Sequence, residues 1–535
     1  MSSANRLAVL GCAVVVATAA SGCASATKAV TGKDSPSVIT MGTTNVTSVL
    51  DPAGAYDAGS WLVLNNTFQS LLSFPPGATV PQPDAAQSCG FTGGDATTYE
   101  CTVRSGLKFS NGHALTAEDV VFSVQRMLKI NDPSGPASLL STIKSVRSED
   151  GGKVVFHLNA PDAVLPAKLA SAAGSIVDHQ VFPADGLLAN DKLVGSGPYK
   201  IDSIDTMSDG EAPAKVALSA NSEYRGENKP QSGSFALRYF NTPDELKSAL
   251  EQGDVDLADN SMEPAAAAKI KDDQIAGKGD LKVAEGESAE TRFLVLNTKD
   301  PVAGNPAVRQ AAAQLLDRKA LAHTVYAGTV QPLYSLVPAG ITGHNTAFFD
   351  RYGDPSTEKA RKILSAAKVQ TPVKLTLTWS RARAGVAEMD QFKKDLEAGG
   401  LFQITVKQEP DWKKYQAGWK AGIYQGYTVG WTPDYADPDD FVSPIVVDGG
   451  AFHNGWDDER ISGRLVPASI KLTDRTAGGA YGQIQNIVAE AAPVIPLFQA
   501  KSFYASRNDI TGVDATVDTT GVFRLWLIGR TESIG

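Results

Sequence analysis

The densest group of chemically active side chains is an acidic loop late in the sequence. Residues 430–441 read GWTPDYADPDDF and contain four aspartates: Asp434, Asp437, Asp439 and Asp440. Carboxylates bind cations, either a metal ion or an organic ammonium. A calcium loop needs Asp-x-Asp-x-Asp-Gly spacing, which is missing, and Pro438 would stiffen the chain. The loop therefore predicts no metal site. Asp437, Asp439 and Asp440 are expected to shape a turn or lie at the surface, and Asp434 is either a turn residue or a ligand contact.

Residues that could catalyse a reaction do not occur at catalytic spacing. The sequence has no HExxH, no phosphate loop, no GxGxxG and no GxSxG. Its six histidines are scattered without paired spacing: His113, His157, His179, His323, His344 and His453. We therefore expect no enzyme, no metal and no cofactor.

The first 22 residues have the pattern of a secretory signal. Arg6 precedes an apolar run from Leu7 to Ala20, and about 14 apolar residues fall short of the ~20 that span a bilayer. The following Ser-Gly-Cys resembles a bacterial lipobox, which implies cleavage before Cys23 and acylation of its thiol. Ala20 departs from the Leu, Val or Ile that this motif prefers, so an ordinary signal with an incidental cysteine is the alternative. Residues 23–37 are then expected to be a flexible, lipid-anchored tether.

The remaining cysteines predict a disulfide. Cys12 and Cys23 belong to the export segment, whereas Cys89 and Cys101 flank the turn-rich sequence GFTGGDATTYE. In an oxidising compartment such a pair is expected to bond. A redox or metal role would need a CxxC spacing or clustered histidines, and the sequence has neither.

Composition limits the partners. The net charge is −10, and 42% of the residues are hydrophobic. An acidic chain without basic runs argues against nucleic acid and against an anionic lipid surface. The mature chain, about 510 residues, exceeds the ~250–300 residues that one hydrophobic core supports. We expect more than one domain, and a monomer.

The elements that must position the acidic loop alternate between strand and helix, which predicts an α/β fold. A helix is expected to begin at Thr116 as N-cap, with Asp119 completing an approximate capping box. Glu118, Asp119 and Arg126 are expected to cap this helix and pair on its surface. Strands are predicted at Val38–Thr43, Thr98–Val103, Lys153–Leu158, Ala214–Ser219, Phe235–Phe240, Arg292–Asn297 and Val373–Trp379.

An ordered series of motifs resembles the family 5 extracellular solute-binding proteins, which include the dipeptide- and oligopeptide-binding components of ABC importers. The most specific motif is Arg104–Arg126, RSGLKFSNGHALTAEDVVFSVQR. The others, in family order, are Leu50–Pro52, Asn65–Leu72, Gly195–Tyr199, Asn221–Gly226, Phe293–Asn297, Val308–Ala311, Leu316–Arg318, Gly430–Phe441 and Pro493–Leu497. Together these motifs cover nearly the whole mature chain.

The resemblance implies a two-lobed clamshell of the type II periplasmic-binding-protein kind. Lobe 1 would comprise residues 38–290 and 498–535, with an extra subdomain at about 75–190. Lobe 2 would comprise residues 291–497. The chain would cross between the lobes near 287–294 and return near 492–497. Such lobes close over a ligand by a hinge motion.

The resemblance also implies where a peptide would bind. In peptide-binding members a Gly-Trp-x-x-Asp motif carries the aspartate that binds the α-ammonium group, and this role falls on Asp434. The carbonyls of Gly430 and Thr432 could complete the acceptors, and Trp431 could form an apolar wall. A carboxylate at the other end of a dipeptide would need an arginine.

The best-placed arginine is Arg381, directly after the predicted strand Leu375–Ser380, and Arg383 is its competitor. Trp379, Tyr435 and Trp456 could line side-chain pockets or lie in the core. The implied function is extracytoplasmic capture of peptides for an ABC permease and ATPase complex, from an anchor on the outer face of the cell membrane. An oligosaccharide, a nickel chelate or an opine-like solute would suit the same scaffold, and a peptide-sensing receptor is the alternative of another class.

Overall fold

A computed structural model describes residues 38–47, 49–207, 213–380, 384–475 and 479–531 of the chain. Strands and helices are numbered in chain order. The strands are β1 Ile39–Thr43, β2 Leu72–Ser73, β3 Gln82–Pro83, β4 Ala86–Phe91, β5 Thr98–Val103, β6 Ile143–Glu149, β7 Lys153–Leu158, β8 Tyr199–Thr206, β9 Pro213–Ala220, β10 Ser234–Tyr239, β11 Leu257–Ala258, β12 Leu281–Leu296, β13 Val330–Pro332, β14 Val373–Trp379, β15 Phe402–Gln408, β16 Gly426–Trp431, β17 Val494–Arg507, β18 Ile510–Thr511 and β19 Gly529–Arg530.

The helices alternate with these strands along most of the chain. They are α1 Ala58–Thr67, α2 Ala117–Ile130, α3 Leu165–Leu169, α4 Pro243–Gln252, α5 Pro264–Ile275, α6 Pro306–Leu315, α7 Arg318–Ala320, α8 Ala347–Tyr352, α9 Thr357–Ala366, α10 Val386–Leu396, α11 Trp412–Lys420, α12 Asp439–Val446, α13 Val466–Ser469 and α14 Gly479–Ala491. The predicted α/β class is confirmed. Within the described ranges, no helix combines the length and apolar character needed to cross a membrane.

One large mixed sheet organises the structure. Its strand order is β15-β14-β16-β12-β17-β11-β1-β10-β9-β8, and β13 pairs with β17 at the side. We refer to the part around β1 and β8–β11 as lobe 1 and to the part around β14–β16 as lobe 2. The long antiparallel strands β12 and β17 pair along most of their length and join the two parts. The predicted crossing segments, 287–294 and 492–497, lie in β12 and at the start of β17.

A smaller antiparallel sheet of order β4-β5-β7-β6 lies within the predicted extra subdomain. Cys89 and Cys101 face each other across β4 and β5 and form a disulfide, as predicted. The capping box at the start of α2 is also confirmed, because the Asp119 carboxylate accepts hydrogen bonds from the Thr116 N–H at 2.8 Å and hydroxyl at 2.9 Å.

The sequence predicted that Arg126 pairs on the surface of α2, and this prediction is wrong. Its side chain is buried and donates two hydrogen bonds to the Asp51 carboxylate, at 2.8 and 2.6 Å. It also donates to the backbone carbonyls of Pro183 and Gly186, both at 2.6 Å. Asp51 is fully buried and accepts the N–H groups of Ala53 and Leu188. This ion pair fixes α2 to the segment that leads into α1.

Predicted strand positions agree with the sheet, with one large difference. The strands predicted at 98–103, 153–158 and 373–379 have the predicted bounds. The strand predicted at 292–297 is the end of the much longer β12, which begins at Leu281. The first half of β12 contains polar residues and lacks a strong apolar pattern, but β17 and its hydrogen bonds hold it in the sheet.

Candidate functional site

The acidic loop leaves the large sheet at the end of β16. This strand lies between β14 and β12, and Gly430 and Trp431 pair with Arg292 and Thr291 of β12. A side chain at Gly430 would meet the Thr291 carbonyl oxygen, since a Cβ placed there would lie 3.2 Å from it. The loop therefore begins beside the joining strands, where lobe 2 meets lobe 1.

Asp440 determines the shape of the loop. It lies in the first turn of α12, and its carboxylate accepts the backbone N–H of Asp434 at 2.6 Å and that of Tyr435 at 3.4 Å. These contacts fold the loop back onto the start of the helix. An acceptor side chain at this position therefore serves two backbone N–H groups of the loop.

Asp437, Asp439 and Asp440 are all buried, so the surface expectation for them is wrong: Asp437 lies in the bend before α12, and Asp439 and Asp440 lie in the first turn of that helix. Asp437 forms a two-pronged ion pair with Arg475, with distances of 2.8 and 2.5 Å. Its carboxylate also accepts the N–H of Asp439. Asp439 in turn accepts the Ser443 hydroxyl at 2.9 Å. Both residues stabilise the loop from beneath.

The Asp434 side chain is half-buried. Burial raises the pKa of Asp434 above its ordinary value, and Tyr56, from the segment before α1, opposes that rise. Burial and the nearby Asp434 charge raise the pKa of the Asp440 carboxyl strongly. The site therefore holds two neighbouring carboxyl groups, and a cation bound beside them would favour their ionised forms.

A small cavity of about 70 Å³ lies beside this loop. Lobe 2 contributes Thr432 and Pro433, and the joining strand β12 contributes residues 288–290. The opposite wall comes from the C-terminal segment at residues 516–521, with Phe523. The loop thus borders a gap between elements of both lobes.

The structure brings some of the predicted site residues together and separates others. Gly430, Trp431 and Thr432 lie in the loop next to Asp434, and Trp431 packs against Phe452 with ring centroids 6.2 Å apart. Arg381 and Arg383 lie outside the described residues. Cys23 and its flanking segment also lie outside them.

The remaining predicted aromatics are elsewhere. Tyr435 and Trp379 are buried in the hydrophobic core. Trp456 lines a different cavity, of about 330 Å³, together with Asn297 and Gly422 near the opposite end of β16. None of these three side chains is placed with the Asp434 carboxylate.

Sequence reasoning missed Tyr56 and Asp440. Tyr56 follows the Leu50-Asp51-Pro52 motif closely, but no spacing in the sequence links it to a residue 378 positions later (434 − 56). Asp440 sits two residues after a proline in the first turn of a helix, a position where an acidic side chain reaches preceding N–H groups. That signal was available in the pattern.

The comparison of the sequence with known families decides its class. Residues 80–452 match the bacterial extracellular solute-binding proteins, family 5 Middle, and this range is more than half of the chain. The chain belongs to this family. The two-lobed α/β fold of type II periplasmic binding proteins follows, as predicted.

This family 5 protein has relatives among bacterial binding proteins. It is 26% identical over 480 residues to Di/tripeptide-binding protein 2 of Pseudomonas aeruginosa, which covers 83% of this chain and 86% of the relative. Its fold resembles HbpA2 from Haemophilus parasuis, with a TM-score of 0.79 at 20% identity, covering 92% of this chain and all of the other, 100%.

A further structure is the ABC transporter-associated periplasmic binding protein DppA from Helicobacter pylori in complex with the peptide STSA. The TM-score is 0.72 at 21% identity, covering 92% of this chain and 98% of the other. At these identities the structures establish the fold shared with this chain.

Proposed function

We propose that this protein captures short peptides with a free amino terminus outside the cell membrane and delivers them to an ABC importer. The observation that carries the proposal is the half-buried Asp434 carboxylate, in a loop that lines the gap between the lobes with Thr432 and Pro433 and whose backbone N–H at Asp434 donates to Asp440. The peptide-binding names of its relatives support the same ligand class.

The chemistry of the loop suits an ammonium group. An ammonium that leaves water needs an anion and further acceptors in place of its hydration shell. Asp434 supplies the charge, and the carbonyls of Gly430 and Thr432 are the proposed additional acceptors. Trp431 is the proposed apolar wall. Removing one partner of a desolvated charge pair typically costs ~2–5 kcal/mol, so Asp434 would dominate affinity.

The remaining parts of the proposal concern the other end of the ligand and the location of the protein. Arg381 or Arg383 would bind a peptide carboxylate, since an arginine matches its two oxygens. Cys23 would carry a lipid that anchors the mature chain to the outer face of the membrane. The protein would act as a monomeric carrier without catalysis, with the permease and ATPase of the importer as partners.

The proposal is tested with Asp434→Asn, which keeps the shape of the side chain and removes its charge. We expect this variant to bind a dipeptide at least thirtyfold more weakly, from the lower end of the ~2–5 kcal/mol range. N-acetylation of the dipeptide should weaken binding to the native chain similarly. The control is Asp390→Asn, which removes the same charge from an exposed position on α10. Calorimetry measures both.

Unchanged affinity in Asp434→Asn would show that the ammonium assignment is wrong. A thermal-shift panel of dipeptides, longer peptides, oligosaccharides and opine-like solutes identifies the ligand class, because a bound ligand raises the melting temperature by mass action. Stabilisation by sugars or opine-like solutes alone would replace the peptide with another cargo. Uptake of labelled peptide by cells with and without the protein separates import from sensing.

A further inference from the structure

A third cavity lies in lobe 1 and measures about 240 Å³. It is bordered by the end of α1, the hairpin of β2 and β3, the loop at residues 224–228 and the C-terminal segment. No residue of the acidic loop at 430–441 lines it, and it shares no described lining residue with the cavity beside that loop. The C-terminal segment borders both cavities, with Val522 at the first and Phe523 at the second.

Asp84 carries a charge in this cavity that no cation matches. Its partly buried carboxylate accepts the Gln69 side-chain Nε2–H at the Oδ1 atom, at 3.0 Å. Among the described residues it has no ion-pair partner, and its Oδ2 atom accepts no hydrogen bond. A carboxylate that is withdrawn from water needs a cation or further donors, so one acceptor position of Asp84 is open to a ligand.

The arginines that line the same cavity already have carboxylate partners. The pairs are Arg524 with Asp518 at 2.9 Å, Arg225 with Glu223 at 3.3 Å and Arg104 with Glu227 at 3.5 Å. The Arg104 Nε–H also donates to the backbone carbonyls of Asp84 and Ala86, at 2.8 and 2.9 Å. Arg104 therefore bonds the backbone of Asp84 and not its carboxylate, and the unmatched charge of the cavity is negative.

Gln69 supplies a second acceptor beside Asp84. The residue lines the cavity and is only 2% exposed. Its Nε2 atom bonds Asp84, while its Oε1 atom is buried and has no hydrogen-bond donor among the described residues. Buried polar groups normally have partners, and an ammonium group brings three donors and a positive charge. The two side chains therefore need what an ammonium group provides.

Aromatic rings form much of the remaining wall. They belong to Phe68, Phe74, Tyr224 and Trp526. Aromatic faces attract organic cations and also pack against apolar groups. The volume lies below the ~300–1,000 Å³ of pockets that hold drug-sized ligands, so the cavity suits a molecule with few heavy atoms.

We infer that this cavity binds a small primary amine with an apolar or aromatic body. The ammonium group donates to the Asp84 carboxylate and to the Gln69 carbonyl oxygen, and the body packs against the rings of the wall. The inference goes beyond the proposed function and does not depend on it, because none of the residues assigned to peptide binding lines this cavity.

The test measures the binding of benzylamine by calorimetry and by the rise in melting temperature that a bound ligand causes. Asp84→Asn retains the shape of the side chain and removes its charge. Hydrogen bonds to charged groups predict a loss of affinity of about tenfold or more in this variant. The control is Asp185→Asn, which removes the same charge from a side chain of lobe 1 that is 75% exposed. This control is expected to bind benzylamine like the native chain, and benzyl alcohol, which lacks the charge, is expected to bind about tenfold more weakly than benzylamine.

The pH dependence provides a readout that a packing role would not change. Burial raises the pKa of Asp84 to about 6, whereas the benzylamine ammonium stays charged from acid to neutral pH. Because the ionised carboxylate attracts the ammonium, affinity should be about tenfold lower at pH 5 than at pH 7. Asp84→Asn should remove most of this difference. Arg104 lowers the pKa of Asp84 and Glu227 raises it, and the other titratable groups of the wall are Tyr224, Arg225 and Arg524.

The two acidic sites are separated by exchanging ligands and variants. We expect Asp434→Asn to bind benzylamine like the native chain and Asp84→Asn to bind a dipeptide like the native chain. If Asp434→Asn abolishes benzylamine binding and Asp84→Asn leaves it unchanged, the amine occupies the gap between the lobes and the inference is wrong. No binding of benzylamine at millimolar concentration, or equal binding of benzyl alcohol, would also overturn it. A native chain that binds no dipeptide but binds benzylamine through Asp84 would contradict the proposed function and leave this inference intact.

Discussion

The buried ion pair between Arg126 and Asp51 provides the strongest test of how this fold is held together. Both side chains are almost fully buried, at 2% and 0% exposure. Arg126→Met keeps most of the side-chain volume but leaves the Asp51 carboxylate without its cation. It also removes the donors of two backbone carbonyls, Pro183 and Gly186.

The expected cost follows from these contacts. Breaking one partner of a buried ion pair typically costs ~3–5 kcal/mol, because an uncompensated charge stays in the interior. Urea unfolding followed by circular dichroism measures the free energy of unfolding. The double variant Asp51→Asn/Arg126→Met should lose less than the sum of the two single variants, since the stranded charge is absent.

The control is Arg147→Met, which breaks an exposed pair with Glu149 whose side chains are 56% and 37% exposed. Exposed pairs contribute ~0–1 kcal/mol, so this variant should unfold almost like the native chain. A loss below about 1 kcal/mol in Arg126→Met, or strict additivity in the double variant, would refute the reasoning about the buried charge.

Two further predictions concern lobe 1 and its small sheet. Burial raises the pKa of Asp84 to about 6, above the ordinary ~3.9 of an unfolded chain, so ionisation of this group destabilises the fold as pH rises from about 4 to about 6. Asp84→Asn should therefore raise the melting temperature more at pH 7 than at pH 4. An equal rise at both pH values would contradict this. Replacing Cys89 and Cys101 together by serine should lower the free energy of unfolding by ~3 kcal/mol, because the unfolded chain is no longer restricted by the cross-link. If the native chain contains the oxidised disulfide and both proteins have the same urea midpoint, the cross-link contributes nothing to stability.

Much of the fold follows from local sequence patterns. The strands at 98–103 and 153–158 alternate in burial or form a continuous apolar run, and Thr116 with Asp119 marks the start of α2. The short turn-rich segment between Cys89 and Cys101 was enough to predict their disulfide. These features depend on neighbours along the chain, so a single sequence contains the information.

The errors concern partners that are distant in the sequence. Asp437 was expected to shape a turn or lie at the surface, but Arg475, 38 residues away, compensates its charge in the interior. Arg126 was expected on the helix surface, and its partner Asp51 is 75 residues away. A charged residue is predicted to be exposed unless its ion-pair partner is known, and only the tertiary structure shows which distant residue that partner is.

The candidate site shows the same division. The motif around Asp434 predicted the position of the loop. The place of Tyr56 depends on how lobe 1 packs against lobe 2, so the sequence did not predict it. Tyr435 and Trp379 are aromatic residues near the motif, yet they are buried in the core. Residue type alone does not tell an aromatic that lines a cleft from one that fills the interior.

The pairing of β12 with β17 has a mechanical consequence. The two strands that join the lobes are hydrogen-bonded neighbours, so they must bend together and cannot slide independently. Their ladder is interrupted between Glu287 and Thr291 and again between Arg292 and Phe293. Irregular registers of this kind bend a strand locally and lose few ladder bonds when they flex. The axis of lobe rotation is therefore expected at these residues, next to the start of the acidic loop. A small rotation about this axis would displace the parts of each lobe that lie farthest from it the most.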